Sequence, residues 1–250
     1  MTYIPGVVVV GAKGRMGQRI CALLEAQGDT VAASVDKDGP PLDAALGAAT
    51  RCVIDFSSLE QVERTLSFCD AHKTPLVLGT TGLTPAHEEA INKAARVVPI
   101  VAAPNFSVGV HVLLSLVSEA ARLLDEGWDA ELVEAHHRHK VDAPSGTAMA
   151  LAQRVAAARR AGLPEIARYG RHGQVGARPR GELGIHAVRG GSVVGDHTLS
   201  FFAEGEVLTL EHKALDRDIF ARGAVRAATW LMSEARPAGR YGLGDVLRRD

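Results

Sequence analysis

The sequence predicts an α/β protein in which a parallel open-sheet domain is followed by a second α+β domain with a mixed sheet. Two observations carry this. Over roughly the first hundred residues, apolar runs such as VVVV (7–10), VIDF (53–56) and PLVL (75–78) alternate with helical patterns in units of about 25 to 30 residues, as a parallel sheet with crossover helices requires. Between about Gly184 and Lys213, three strand-like runs follow one another with only turn signals between them, a pattern of directly connected strands.

Taken in order, residues 3–10 form a strand that runs at once into GAKGRMG and then into QRICALLEAQG, a helical pattern closed by Gly28. TVAASV (30–35) is a second strand ending at Asp36, which completes a βαβ unit with a right-handed crossover. Between Asp38 and Thr50, Pro40 and Pro41 lead into the single turn DAALGA, which shortens the helix after that strand. RCVIDFSS is a buried strand, LEQVERTLSFCDAHK a helix, TPLVLGTTG a strand entering a Gly/Thr turn, and TPAHEEAINKAAR a helix with Thr84 as N-cap and Pro85 at its first position. VVPIVAAPNFS is the fifth strand. The carboxyl ends of these strands carry Gly, Ser, Thr, Asp or Asn, where an open sheet binds its ligands.

The pattern changes after Asn105. Residues 108–124 form a long apolar helix, ELVEAHHRHK a strand, and SGTAMALAQRVAAARRAG a helix. IHAVRGG, SVVGDHTLSFFA and VLTLEHKA then read as a meander within a mixed sheet. Residues 163–181 read as a basic loop that gives Arg171, Arg178 and Arg180 no more than a solvated or lid-like role. A helix covers 217–234, and 235–250, with Pro237, Gly239, Gly242 and Gly244, reads as irregular until a short final turn.

Composition narrows the function. Lys plus Arg is 28 against 29 for Asp plus Glu, a formal net charge of −1, so neither a nucleic-acid partner nor an acidic tail is indicated. Aromatics at 4% disfavour a stacking platform for bases, and a small molecule is the better partner. Cys21, Cys52 and Cys69 are odd in number and lack a CxxC spacing, which argues against a disulfide framework and for a reducing compartment. No run approaches the roughly 20 apolar residues of a membrane helix. A soluble cytoplasmic protein with no membrane partner is expected.

Gly11, Gly14 and Gly17 follow a strand and open a helix, where glycines let a pyrophosphate approach the backbone and free helix amides. Lys13 occupies the usual second-glycine position, so the spacing is GxxGxxG, and a purely structural tight turn is the competing reading. Asp36 stands 36 minus 17, or 19, positions beyond Gly17, where a carboxylate accepts both ribose hydroxyls of the adenosine. This favours NADH. Lys37 and Lys13 offset the charge of a 2′-phosphate, so NADPH is accepted too.

Positions 134–148 read EAHHRHKVDAPSGTA and hold three of the ten His. Three readings compete. A metal site needs converging ligands, but His136 and His137 are neighbours that point to opposite faces of a strand, and no HExxH or Cys partner is present. A solvated basic edge strand is the second. The third, which the following residues favour, is an anion-binding catalytic site: Ser145, Gly146 and Thr147 open a helix whose amides attract an anion. His136 and Lys140 are four apart and share a strand face if the strand persists that far. Imidazole suits proton delivery near neutral pH. With a nicotinamide domain, the cluster points to a reductase of a small anionic substrate.

Five segments, GAKGRMG, GTTG (79–82), APNFSVGV (103–110), EAHHRHKVDAPSGTA and GIHAVRGGSVVGDH (184–197), resemble the 4-hydroxy-tetrahydrodipicolinate reductase (dihydrodipicolinate reductase) family of the diaminopimelate route to lysine. The likeness runs in order from residue 7 to about 232. It implies a Rossmann domain at 1–106, a substrate and oligomerisation domain at 107–216 whose mixed sheet builds a homotetramer, and a segment at 217–250 returning to the first domain. It implies His136 as proton donor or acceptor, Lys140 as second proton donor, and His137, Gly146 and Thr147 as ligands of the substrate carboxylates. It also implies cofactor contacts from Gly11, Ala12, Lys13, Gly14, Arg15 and Met16, from Asp36, from Gly79, Thr80 and Thr81, and from Ala103, Pro104, Asn105 and Phe106. The cofactor is NADH or NADPH and no metal is implied. The rival readings are an amino-acid dehydrogenase or other Rossmann reductase, which would not share the HHRHK to SGTA run, and a non-catalytic NAD(P)-sensing protein, which would not need His136 and Lys140 beside an anion trap.

Overall fold

In the computed structural model, residues 5–36, 42 and 50–248 are described; Lys37 and the turn read at 43–48 lie outside them. In chain order the elements are β1 (Gly6–Val10), α1 (Arg15–Ala26), β2 (Val31–Val35), β3 (Thr50–Asp55), α2 (Leu59–His72), β4 (Leu76–Leu78), α3 (Pro85–Ala94), β5 (Pro99–Ala102) and α4 (Val108–Leu123). There follow β6 (Asp129–His136), α5 (Gly146–Ala158), α6 (Leu163–Ile166), β7 (Ala167–Tyr169), β8 (Leu183–Arg189), β9 (Gly195–Ala203), β10 (Glu206–Ala214), α7 (Asp218–Ser233), β11 (Gly239–Tyr241) and α8 (Leu243–Leu247). The chain divides into two compact units, Met1–Val108 with Asp218–Asp250, and Gly109–Arg217.

The first unit is built on a Rossmann-type sheet of order β11-β5-β4-β3-β1-β2, all of whose pairs are parallel. The four valines of β1 are consecutive because both faces of the sheet are covered. Val7 and Val9 pack with Ile20 and Leu24 of α1 and with Ala224 and Ala228 of α7. Val8 and Val10 pack on the other side with Val62 and Leu66 of α2 and Ile91 of α3. Thr84 caps α3, its hydroxyl accepting from the His87 N–H while His87 Nδ1 accepts from the Thr84 N–H, with Pro85 opening the helix. Cys21, Cys52 and Cys69 are all free thiols.

Two close approaches fix this packing. Gly11 has φ +82°, and a Cβ on Gly17 would sit 2.1 Å from the Gly11 carbonyl oxygen, so α1 rests directly on the turn that precedes it. A Cβ on Gly223 would sit 1.8 Å from the Phe106 carbonyl oxygen, which brings α7 equally close to the chain leaving β5. Arg19 on α1 pairs with Asp218 at the start of α7. The segment after α7 corrects the sequence expectation: instead of being irregular, residues 239–241 form β11 and pair in parallel with β5, from Gly239 with Pro99 to Tyr241 with Val101. Three residues between Gly and Pro signals are too few to show alternation.

The second unit has a mixed sheet of order β10-β9-β6-β8-β7. β6 runs parallel to β8 and antiparallel to β9. The expected meander is therefore corrected: β9 and β10 form a hairpin, but β6 is inserted between β8 and β9. Leu113 and Val117 of α4 and Leu151 and Val155 of α5 cover one face, against Leu132, Ile185, Leu199 and Phe201. Val133, Val188, Phe202 and Val207 lie exposed on the other. The 163–181 segment is not a free basic loop. It contains α6 and β7, Arg171 bridges Glu131 (2.8 Å) and Glu182 (2.5 Å), and Arg178 binds Asp129 (3.0 Å), Glu131 and the Ala130 carbonyl. Arg178 is half-buried, while Arg171 and Arg180 are exposed. Among the described residues no helix is long and apolar enough to cross a membrane.

Gly223→Ala tests the seating of α7. The added methyl overpacks a backbone contact and is expected to cost about 1–3 kcal/mol, read as a fall of several degrees in the thermal unfolding midpoint; an unchanged midpoint contradicts the packing described.

Candidate functional site

In the first unit the chain leaves β1 toward β2 on one side and reaches β3 on the other, so a crevice opens at the carboxyl ends of β1 and β3. A cavity of about 380 Å³ lies there, lined among others by Gly11, Gly14, Asp36, Phe56, Ser57 and Arg64. Gly14 caps α1 without a side chain and no acidic residue occupies the first turn, so the positive end of the helix is not neutralised there. Asp36 Oδ2 accepts the Lys13 N–H at 2.7 Å, tying the glycine turn to the end of β2. Arg15 is exposed at the start of α1, while Ala12 is buried and Met16 packs against the core.

A second cavity of about 250 Å³, at the carboxyl ends of β4 and β5, is lined by Thr80, Thr81, Ala103 and Pro104 with Arg240. Asn105 Oδ1 accepts the Ser107 N–H at 2.8 Å, and buried Phe106 packs on Phe56 with ring centroids 5.5 Å apart. A Cβ on Gly79 would sit 2.2 Å from the Phe56 ring, so only glycine fits under it. The loop conformations depend on Asp55, which sequence reasoning passed over. Fully buried at the end of β3, its carboxylate accepts from Ser57 N–H (2.9 Å), Ser57 Oγ (2.6 Å), Thr65 Oγ1 (2.6 Å) and Thr80 Oγ1 (3.0 Å). The Thr80 hydroxyl thus points into the protein, while Thr81 beside it is exposed.

In the second unit β6 ends at His136. The Arg138 N–H donates to Gly191 O and the Lys140 N–H to His137 O, so the chain leaves the strand in a turn. Lys140 is therefore not on a strand face with His136; its ammonium is held by both oxygens of Asp142 at 2.8 Å. His137 follows the strand end directly, with its pKa lowered first by burial and then by Arg217, His136 and other neighbouring cationic groups. Helix α5 starts after Ser145, whose hydroxyl accepts the Ala148 N–H at 3.1 Å. At Gly146 a Cβ would meet nothing within 4 Å, so open space adjoins the start of the helix, with half-buried Thr147 next in line. The turn after β6 and the start of α5 are joined by Glu134, which accepts both His136 Nδ1 (2.6 Å) and the Ser145 N–H (3.1 Å).

The residues missed from sequence surround His136. In the sheet register His136 pairs with Arg189, and Glu134 pairs with His197. Arg189 grips both Glu134 oxygens at 2.8 and 2.7 Å. His197 meets the His136 ring edge-on at 5.2 Å and shares a 2.9 Å hydrogen bond with Ser145 Oγ. Burial, and then the neighbouring His136, push His197 down to about 4, so it is neutral at pH 7. Glu134 was readable, since residues two apart share a strand face. Arg189 and His197 were not, because no local pattern gives the partner of β6. Among the described residues no three His, Cys, Asp or Glu side chains converge as a metal site requires.

Comparison with known proteins gives this geometry a family. The model for the dihydrodipicolinate reductase N-terminus matches residues 6–106, and that for the dihydrodipicolinate reductase C-terminus matches residues 109–247. A 4-hydroxy-tetrahydrodipicolinate reductase of Psychrobacter arcticus is 40% identical, covering 96% of this chain and 94% of the relative. One of Anaeromyxobacter dehalogenans is 44% identical, covering 96% and 97%. Among solved structures, a dipicolinate-bound dihydrodipicolinate reductase of Paenisporosarcina sp. shares the fold at a TM-score of 0.74 and 24% identity, covering 98% of this chain and 100% of that one. With matching models spanning both halves and relatives alike over nearly their whole length, the chain belongs to the dihydrodipicolinate reductase family.

Proposed function

We propose that His136 and Lys140 handle the protons in the NAD(P)H-dependent reduction of 4-hydroxy-tetrahydrodipicolinate to tetrahydrodipicolinate, the lysine-biosynthetic reaction for which the relatives are named. The observation that carries the reading is the setting of His136, buried at the end of β6 with Nδ1 2.6 Å from a carboxylate and the start of α5 alongside. In this reading residues 1–106 with 217–250 bind the dinucleotide, and residues 107–216 bind the substrate.

The reaction adds a hydride and a proton and releases the 4-hydroxyl as water. A reduced nicotinamide dinucleotide supplies the hydride when bound. The turn with glycine at both its ends, Gly11 and Gly14, and the uncapped end of α1 suit a pyrophosphate. The Asp36 carboxylate at the end of β2 is an acceptor of the kind ribose hydroxyls need, and the loops Gly79–Thr81 and Ala103–Phe106 frame the second cavity. Asp36 favours NADH, with Lys13 and Lys37 making NADPH acceptable.

The substrate is a small dicarboxylate. His137, Gly146 and Thr147 hold a carboxylate at the start of the 13-residue α5, where the helix dipole is favourable to an anion before any reaction begins. His136 transfers a proton at Nε2. Lys140, kept close by Asp142, is the second donor. The exposed apolar sheet face carrying Val133, Val188, Phe202 and Val207 supports a homotetramer, and the three free thiols support a reducing, cytoplasmic setting.

In a steady-state reductase assay, His136→Ala lowers kcat by about a hundredfold to ten-thousandfold, the range for a positioned acid, with KM for NADH unchanged; near-wild-type turnover overturns the role. Thr147→Val raises KM for the substrate, and an unchanged KM assigns the carboxylate elsewhere. Both cofactors support turnover with NADH the better; a preference for NADPH beyond about a hundredfold, near 2.7 kcal/mol, contradicts the part given to Asp36.

A further inference from the structure

Glu134 has no solvent exposure, yet four donors reach its carboxylate. Oε2 accepts from His136 Nδ1 at 2.6 Å and from Arg189 at 2.8 Å; Oε1 accepts from Arg189 at 2.7 Å and from the Ser145 N–H at 3.1 Å. Burial pushes the Glu134 carboxyl up, but the bonds from Arg189, His136 and Ser145 together hold it below the ordinary carboxylate range. An ionised carboxylate only accepts, so the imidazole nitrogen facing it must carry the hydrogen. We propose that Glu134 is a positioning residue that fixes His136 as the Nδ1–H tautomer, leaving Nε2 as the atom that gives or takes the proton, and that favours the charged ring. The proposal rests on the reading of His136 as the proton-transfer group.

The surroundings of the ring decide how much charge Glu134 must supply. From β8, Arg189 opposes a charged imidazole. From β9, His197 stands edge-on at 5.2 Å and is neutral, while a Cβ on Gly195 would lie 2.9 Å from His136 Nε2, so that position accepts nothing larger than glycine. From the turn after β6, Lys140 and Asp142 pair with each other, and His137 has a lowered pKa. From the start of α5, Ser145 contributes its backbone N–H to Glu134 and its hydroxyl to His197. Glu134 is thus the anion in direct contact with the ring, and Arg189, which it also holds, is the cation that would face His136 if the charge of Glu134 were removed.

A purely structural Glu134–Arg189 pair would hold β6 to β8 without touching the titration of His136. The pH profile of kcat separates the two. When His136 donates, activity is lost as pH rises through its titration. Removing the charge with Glu134→Gln makes the imidazolium less stable, so that limb moves to lower pH by about one unit or more, with kcat above the limb lowered about tenfold and KM for NADH unchanged. A limb that stays in place, at any absolute rate, overturns the proposal. Because Glu134→Gln leaves Arg189 less compensated and can fail to fold, a second measurement uses the wild-type protein. Two-bond nitrogen–proton correlation spectra of 15N-histidine-labelled protein, with His136→Gln for assignment, are expected to show the neutral His136 ring as the Nδ1–H tautomer; the Nε2–H tautomer overturns the proposal. Full turnover in His136→Ala removes the reading of His136, and this proposal with it. Lost turnover in His136→Ala beside an unmoved limb in Glu134→Gln removes the role of Glu134 alone.

Discussion

An ionised carboxylate out of reach of water must be met by donors on every side, and Glu134 imposes that demand at the centre of the second unit. Meeting it brings Arg189 across from β8, the Ser145 backbone from the start of α5 and His136 from its own strand. The register of β6 against β8 and β9 is therefore specified by polar matching as well as by apolar alternation. A slip of one residue would turn Glu134 toward the exposed face and leave Arg189 and Ser145 without their acceptor. The same bonds that hold the sheet and helix together also set the direction in which the His136 ring presents Nε2.

The first unit meets the same demand with different residues. Asp55 is buried at the end of a central strand and collects Ser57, Thr65 and Thr80. The loops after β3 and β4 take their shape from it, as the glycine turn takes its shape from the steric limits at Gly11 and Gly17. In each unit a carboxylate turned away from solvent ties together the segments that the proposed reading assigns to ligand binding.

Much of this was legible in the sequence, and the parts that were not share a cause. The elements from β1 to β5 that the structure describes, the Thr84 cap and the glycine turn are local patterns, and they lie where their sequence signals fall. β11 is three residues long at a sheet edge, too short for any period to register. The order of the second sheet depends on which strand β6 chooses, and alternation along β8 and β9 does not encode that choice. Placing Lys140 on a strand face failed because the Arg138 and Lys140 amides turn the chain directly after His136. Arg171 and Arg178 look like loose cations in the sequence because Glu131 and Asp129, acids that hold them, lie forty to fifty residues earlier on β6. Glu134 stood inside the most informative motif of the chain, two residues before His136, but a motif read for its cations hid the acid that organises them.

On the proposed reading, the first unit holds a reduced nicotinamide dinucleotide and the second presents a dicarboxylate for reduction. The most direct test is a coupled assay with the wild-type protein, in which a synthase generates 4-hydroxy-tetrahydrodipicolinate in place and the absorbance of NADH at its reduced band is followed. NADH is then expected to be consumed one for one with the substrate formed and only while the synthase is running. NADH that stays constant as substrate accumulates, with NADPH equally inert, would contradict it.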